Sequence, residues 1–217
     1  MQRNSRALLG GQAAAQLGLL LLSGLSLAGL GALGLRQELA KALEPNQVAV
    51  AGNDWRGASF PVENFQAYTS PFGYRASPDG TYNQEFHKGL DMAAPEGSYI
   101  RNWWAGRVVE VSDNTACGTS IVIQSGEWQH IYCHMKGQIE TSGGGRYLSD
   151  RTGGIQIWEG QLVPAGARIG RVGMTGRTTG PHLHWGLKYA SRYVDPAMVL
   201  RAMFAQQSGS TISSRSQ

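Results

Sequence analysis

Hydrophobic patterning divides the chain into two unlike parts. Ala7 to Leu35 is a run of 29 residues without a charge, most apolar from Leu17 onward. From Tyr68 the texture changes to short β-type runs separated by turn residues. Tyr99 to Val111 predicts strand structure around the aromatic pair Trp103 and Trp104, Gly106 and the run Arg107-Val108-Val109-Glu110-Val111. Ser120 to Gln124 and Gln129 to His134 predict two further strands, and the Gly126-centred turn between them makes them a hairpin. Lys136 to Gln161 is interrupted by Gly143-Gly144-Gly145 and Gly153-Gly154 and is expected to be a long flexible loop on the rim of a site. Val163 to Val172 predicts a turn at Pro164-Ala165-Gly166 and a short strand through Ile169. After a turn at Gly173-Met174-Thr175-Gly176, His182 to Tyr189 predicts another strand. Asp195-Pro196 opens a helical stretch expected to end near Phe204, and the polar residues from Ser208 are expected to be disordered.

The charge-free run is slightly longer than a membrane span requires. Arg3 and Arg6 precede it, the arrangement of an exported chain whose first residues stay inside. Gly10, Gly11, Gly18, Gly24, Gly29, Gly31 and Gly34 would weaken it as a buried helix in water. Small-x-small patterns at Ser26-Leu27-Ala28 and Ala40-Lys41-Ala42 offer cleavage sites, so a cleaved signal and a retained anchor both stand open. The expected organisation is a hydrophobic N-terminal helix serving as signal peptide or membrane anchor over 1–36, then a juxtamembrane segment and linker over 37–66. A folded domain over 67–205 and a disordered tail over 206–217 complete it. Within the linker, Gln37 to Leu43 predicts a short helix that Pro45 stops.

Thirty glycines in 217 residues are about twice ordinary usage and favour many tight turns. The net charge of +4 is modest and its basic residues are spread along the chain, which argues against nucleic acid as a partner. Two cysteines, Cys117 and Cys133, suit an oxidising compartment. A bridge between them would stabilise the fold by about 3 kcal/mol in the chain-entropy model; two separate buried thiols are the alternative.

Candidate chemistry lies in the histidines. Alternate residues of a strand share a face, so His182 and His184 in Gly180-Pro181-His182-Leu183-His184-Trp185 present two imidazoles to one side. His87-Lys88-Gly89-Leu90-Asp91 supplies an imidazole and a carboxylate, with Gly89 letting the backbone bend so that both converge. Three of these four groups suffice for a catalytic zinc site with one position open to water, and the fourth is left for acid–base work. Spacing does not decide which of His182 and His184 takes the metal. His130 reads as a surface or turn residue, and His134 on its own as a half-buried histidine. Trp103, Trp104 and Trp185 read as core or groove wall, Arg75 as a stabiliser of the fold, and Arg177 with Thr178 to Gly180 as either a substrate-facing rim or a bare turn. The glycine triplet is only a weak signal for a phosphate cradle, since no helix with Lys-Ser/Thr follows it.

Four motifs occur in order: Ser70-Pro71-Phe72-Gly73-Tyr74-Arg75, Phe86-His87-Lys88-Gly89-Leu90-Asp91-Met92-Ala93-Ala94-Pro95, Ile131-Tyr132-Cys133-His134-Met135 and Gly176-Arg177-Thr178-Thr179-Gly180-Pro181-His182-Leu183-His184. Together they resemble the M23 family of peptidoglycan metalloendopeptidases, the lysostaphin-like peptidases, over roughly Tyr68 to Pro196. The resemblance implies one zinc ion held by His87, Asp91 and His184, with His134 and His182 as the catalytic pair beside it. It implies a mainly β fold of antiparallel sheets forming an open groove, into which a peptide lies extended. The expected substrate is a peptide cross-link or stem peptide of bacterial peptidoglycan, cut outside the cytoplasmic membrane by a monomer. Cys133 stands where the family usually has a small residue, and the 136–161 segment is long for it. A catalytically silent adaptor that activates a separate wall hydrolase is the competing reading; the presence of all five site residues argues against it.

Overall fold

The computed structural model describes residues 54–77 and 83–214. The charge-free run, the expected helix over 37–43 and both cleavage patterns lie outside the described residues. Among the described residues no helix is long and apolar enough to cross a membrane.

Four short strands come first, β1 (Ala67–Ser70), β2 (Gly73–Ala76), β3 (Gln84–His87) and β4 (Leu90–Ala93). β5 (Tyr99–Arg101), β6 (Gly106–Ser112), β7 (Ser120–Ser125) and β8 (Trp128–Cys133) follow. β9 (Gln138–Ser142), β10 (Gly145–Asp150) and β11 (Ile155–Trp158) precede β12 (Leu162–Val163) and β13 (Arg168–Arg171). β14 (His182–Tyr189) and β15 (Arg192–Val194) lead into the helix α1 (Pro196–Ser214).

An eight-stranded antiparallel sheet in the order β1-β4-β14-β8-β7-β6-β12, with β15 on β14, organises the fold. The period-two alternation that marks a half-buried strand is plain in β14: Leu183, Trp185 and Leu187 are fully buried, whereas His182 and His184 are partly exposed on the other face. β7 and β8 form the expected hairpin, turning at Gly126 with φ 59°. An aromatic cluster fills the core, with Trp103 at ring-centroid distances of 6.0 Å from Trp55, 5.4 Å from Trp128 and 5.6 Å from Trp185.

Trp55 places part of the expected linker inside the domain. Its side chain is buried, Val62 bridges to Ile100, and Glu63 accepts from Arg101 and Arg168. Residues 54–66 are therefore packed structure, because one large aromatic among turn-forming neighbours reaches the core.

The 136–161 segment is not a flexible loop. β9, β10 and β11 form a three-stranded antiparallel sheet, and Gly143-Gly144 make the two-residue turn between Ser142 and Gly145. Leu148 and Ile157 are buried, Tyr147 stacks on Trp158 at 4.2 Å, and Arg171 donates twice to the buried Asp150 at 2.7 Å each. Helix α1 likewise runs on to Ser214, past both its expected end and the start of the expected disordered tail. Gln206 accepts from the Trp55 amide, and Gln207 donates to the Trp55 and Ala58 carbonyls, tying its later turns to the domain.

His130 is a fourth departure from expectation. It is completely buried on β8, edge-on to Trp103 at 4.8 Å, and neither ring nitrogen has a hydrogen-bond partner among the described residues. Burial pushes its pKa down to about 3. Between pH 6.5 and 3 the unfolded chain binds a proton that the folded chain refuses, so stability falls as pH drops through that window and is unaffected above it. His130→Leu removes the titrating group and is expected to reduce the loss of unfolding free energy between pH 7 and pH 5 by about 2 kcal/mol. Denaturant titrations at the two pH values check this; an unchanged difference would contradict it.

Candidate metal centre

The sheet register builds the site. β14 lies between β4 and β8, so His184 pairs with Asp91 on one side and with Cys133 on the other. His134 follows Cys133 directly, and β3 brings in His87 from the β2–β3 ladder, where it pairs with Gly73. Gly89 acts here by close approach rather than by bending: it has no left-handed φ, but a Cβ there would lie 2.6 Å from the His184 ring and 2.8 Å from the Trp185 carbonyl.

Three ligand-type atoms converge. His87 Nε2 lies 3.0 Å from Asp91 Oδ1 and 2.9 Å from His184 Nδ1, and His184 Nδ1 lies 2.8 Å from Asp91 Oδ1. His87 Nδ1 donates to the Pro71 carbonyl at 2.7 Å, which leaves Nε2 unprotonated on a neutral ring and turned toward the other two groups. Lone pairs from two imidazole nitrogens and a carboxylate oxygen therefore face one point, a donor set that suits zinc. Arg75 fixes the carboxylate, donating to Asp91 Oδ2 at 3.1 Å so that Oδ1 is the oxygen turned inward. Arg75 is in turn held by Glu85 at 3.0 Å and by Ser70, and Glu85 also accepts from Arg177 at 2.8 Å.

Burial alone would raise the Asp91 pKa, but the close polar contacts with the His184 and His87 rings outweigh it and hold the carboxyl well below the usual range. His184 is shifted down, chiefly by burial. Both groups are thus in their metal-binding protonation states at neutral pH.

His134 and His182 stand beside this trio with ring centroids 4.8 Å apart. His134 Nδ1 donates to the Thr175 carbonyl at 2.8 Å and His182 Nδ1 to the Gly180 carbonyl at 2.9 Å, so each neutral ring keeps a lone pair on Nε2. His182 Nε2 is 3.6 Å from Asp91 Oδ1. Burial pushes the His134 pKa down to about 4, keeping the ring neutral at pH 7. Its backbone is unusual, with φ 59° in the left-handed region that non-glycine residues rarely occupy. Such strained residues cluster at functional sites.

The five residues line an open cavity of about 750 Å³ together with Arg75, Glu85, Lys88, Arg177, Thr178, Thr179 and both cysteines. No residue of 136–161 lines it, so that segment is not its rim, and Trp103, Trp104 and Trp185 do not form its wall. Arg177 and Thr178 do face it. Sequence reasoning missed the role of Arg75 as an anchor of Asp91 and that of the Thr175 carbonyl as an anchor of His134. The first was signalled by the Ser70–Arg75 motif; a backbone carbonyl leaves no sequence signal.

The profile of Peptidase family M23 matches residues 85–196. The chain is 30% identical over 132 residues to the DD-carboxypeptidase/endopeptidase Mpg of Neisseria meningitidis serogroup B, an alignment covering 60% of this chain and 26% of that protein. It is 31% identical over 137 residues to the peptidoglycan DD-endopeptidase ShyA of Vibrio cholerae, covering 63% and 28% respectively. Its alignments thus span only about a quarter of the length of these relatives. A crystal structure of a zinc-containing peptidase from Vibrio cholerae superposes with a TM-score of 0.50 at 30% identity, covering 66% of this chain and 38% of that one.

Proposed function

The chain belongs to peptidase family M23, and from that premise we propose that it is a zinc-dependent endopeptidase cutting peptide cross-links or stem peptides of bacterial peptidoglycan. The observation that carries this reading is the convergence of His87 Nε2, Asp91 Oδ1 and His184 Nδ1 within 3.0 Å of one another. These three would hold zinc, which when bound supplies Lewis acidity to a water and to the scissile carbonyl. The work is done outside the cytoplasm, with the N-terminal charge-free run serving as signal or anchor.

His134 and His182 move the protons. In the neutral form of each ring the lone pair is on Nε2, because Nδ1 is committed to a backbone carbonyl. One ring accepts a proton from the attacking water as its oxygen adds to the carbonyl carbon. Once protonated, that nitrogen is a donor and passes the proton to the amine as the C–N bond breaks. The second ring, once it has taken a proton from solvent on Nε2 and become an imidazolium, donates that N–H to the oxyanion and stabilises it. Arg75 keeps the Asp91 carboxylate turned inward throughout.

The test is turnover on purified sacculi. Zinc-loaded protein is expected to release soluble muropeptides, a chelator to stop the release, and added zinc to restore it. Equal release with and without chelator would refute the zinc requirement, and no release from the zinc-loaded protein would refute the enzyme reading.

A further inference from the structure

A disulfide joins Cys117 to Cys133 across 16 residues of sequence, and both cysteines line the cavity. β7 and β8 already pair along Ile121 to Ser125, so the hairpin between them needs no covalent closure. The constraint falls instead on the 115–119 segment and on the residue after Cys133, which is His134.

The left-handed turn at His134 is held from outside. Its amide donates to the Cys117 carbonyl at 2.8 Å, and the next amide, that of Met135, donates to the Thr119 carbonyl at 2.9 Å. The Thr119 amide donates at 2.8 Å to Thr175 Oγ1, and the carbonyl of the same Thr175 anchors His134 Nδ1. Arg177 N donates to the Ala116 carbonyl at 2.8 Å. Gly118 and Gly176 pack backbone to backbone, so that a Cβ on either would collide with the other segment. Residues 115–119 thus grip both ends of His134, the main chain directly and the ring through Thr175. The disulfide is the covalent tie between that grip and the last residue of β8.

We propose that the Cys117–Cys133 disulfide positions His134 and makes turnover depend on the oxidation state of the pair. The inference rests on the catalytic role given to His134 above. Reduction converts the pair to two thiols, leaves 115–119 held to the end of β8 by hydrogen bonds alone and lets His134 relax out of its left-handed turn, while the His87, Asp91 and His184 cluster, held by β3, β4 and β14, stays assembled.

The experiment compares zinc-loaded full chain in three forms: oxidised, reduced with a phosphine, and carrying Cys117→Ser with Cys133→Ser. The phosphine takes up the oxygen of a water as the S–S bond breaks, and the two hydrogens go to the sulfurs. Each form is assayed for kcat, KM, zinc content and the His134 imidazole NMR signals. In the reduced and doubly substituted forms kcat is expected to fall about 10- to 100-fold, as a misplacement of about 1 Å does, with KM within about twofold. One zinc is retained and the His134 signals move more than those of His87. Reoxidation restores the wild type only. Equal kcat in the oxidised and reduced wild type, below the unfolding temperature of both, would overturn the inference, as would unmoved His134 signals. Should the double variant fail to fold, the reduced wild type decides alone. Oxidised, zinc-loaded protein that does not turn over at all would refute the enzymatic reading instead.

Discussion

Asp91→Ala and His184→Ala are each expected to yield folded protein that keeps no zinc through dialysis and releases no muropeptides. Each removes one of three groups that face a single point at mutual distances of 2.8 to 3.0 Å. Structural zinc sites bind with roughly 10–16 kcal/mol, and on that scale losing one ligand of three weakens affinity by about two to four orders of magnitude. Arg75→Ala leaves all three ligands and removes only the donor to Asp91 Oδ2. It is expected to weaken zinc by about 10- to 100-fold, the usual consequence of losing an outer partner of a metal ligand. Competition against a fluorescent chelator measures all three variants. Full zinc occupancy in Asp91→Ala or His184→Ala would reject the ligand assignment, and an unweakened Arg75→Ala would reject the anchoring role.

The strands that carry the site were legible where side chains alternate. His182 and His184 flank the buried Leu183, and that period of two announces β14 and the shared face of the imidazoles. The hairpin at Gly126 was legible for the same reason. Where glycine dominates, the pattern misleads: Gly143-Gly144 signalled looseness, whereas in the fold they are a tight turn between paired strands. The position of Trp55 in the core was hidden because a single buried aromatic carries no periodicity. His130 was hidden by its own chemistry, since a histidine at the centre of a sheet with no hydrogen-bond partner among the described residues contradicts the usual preference for wet surroundings. The pairing of His184 with both Asp91 and Cys133 depends on the order of β4, β14 and β8, and strands more than forty residues apart in sequence do not declare their neighbours.

Replacing His134 tests the chemistry separately from the metal. The His134 ring does not belong to the converging trio, so zinc content is expected to stay at one per chain while kcat falls about 100- to 10,000-fold, the usual worth of a general acid–base group. The choice of substitution matters because the residue sits at φ 59°. Alanine disfavours that conformation, and a loss of activity in His134→Ala would mix missing chemistry with a relaxed turn. Asparagine enters the left-handed region several-fold more readily, so His134→Asn keeps the backbone while removing the imidazole. The two variants are expected to lose kcat alike, with KM little changed and with His134→Asn the more stable to heat. If His134→Asn instead turned over normally while His134→Ala did not, the residue would be serving the turn and not the proton transfer. Normal kinetics in both would leave His182 as the acid–base group on its own.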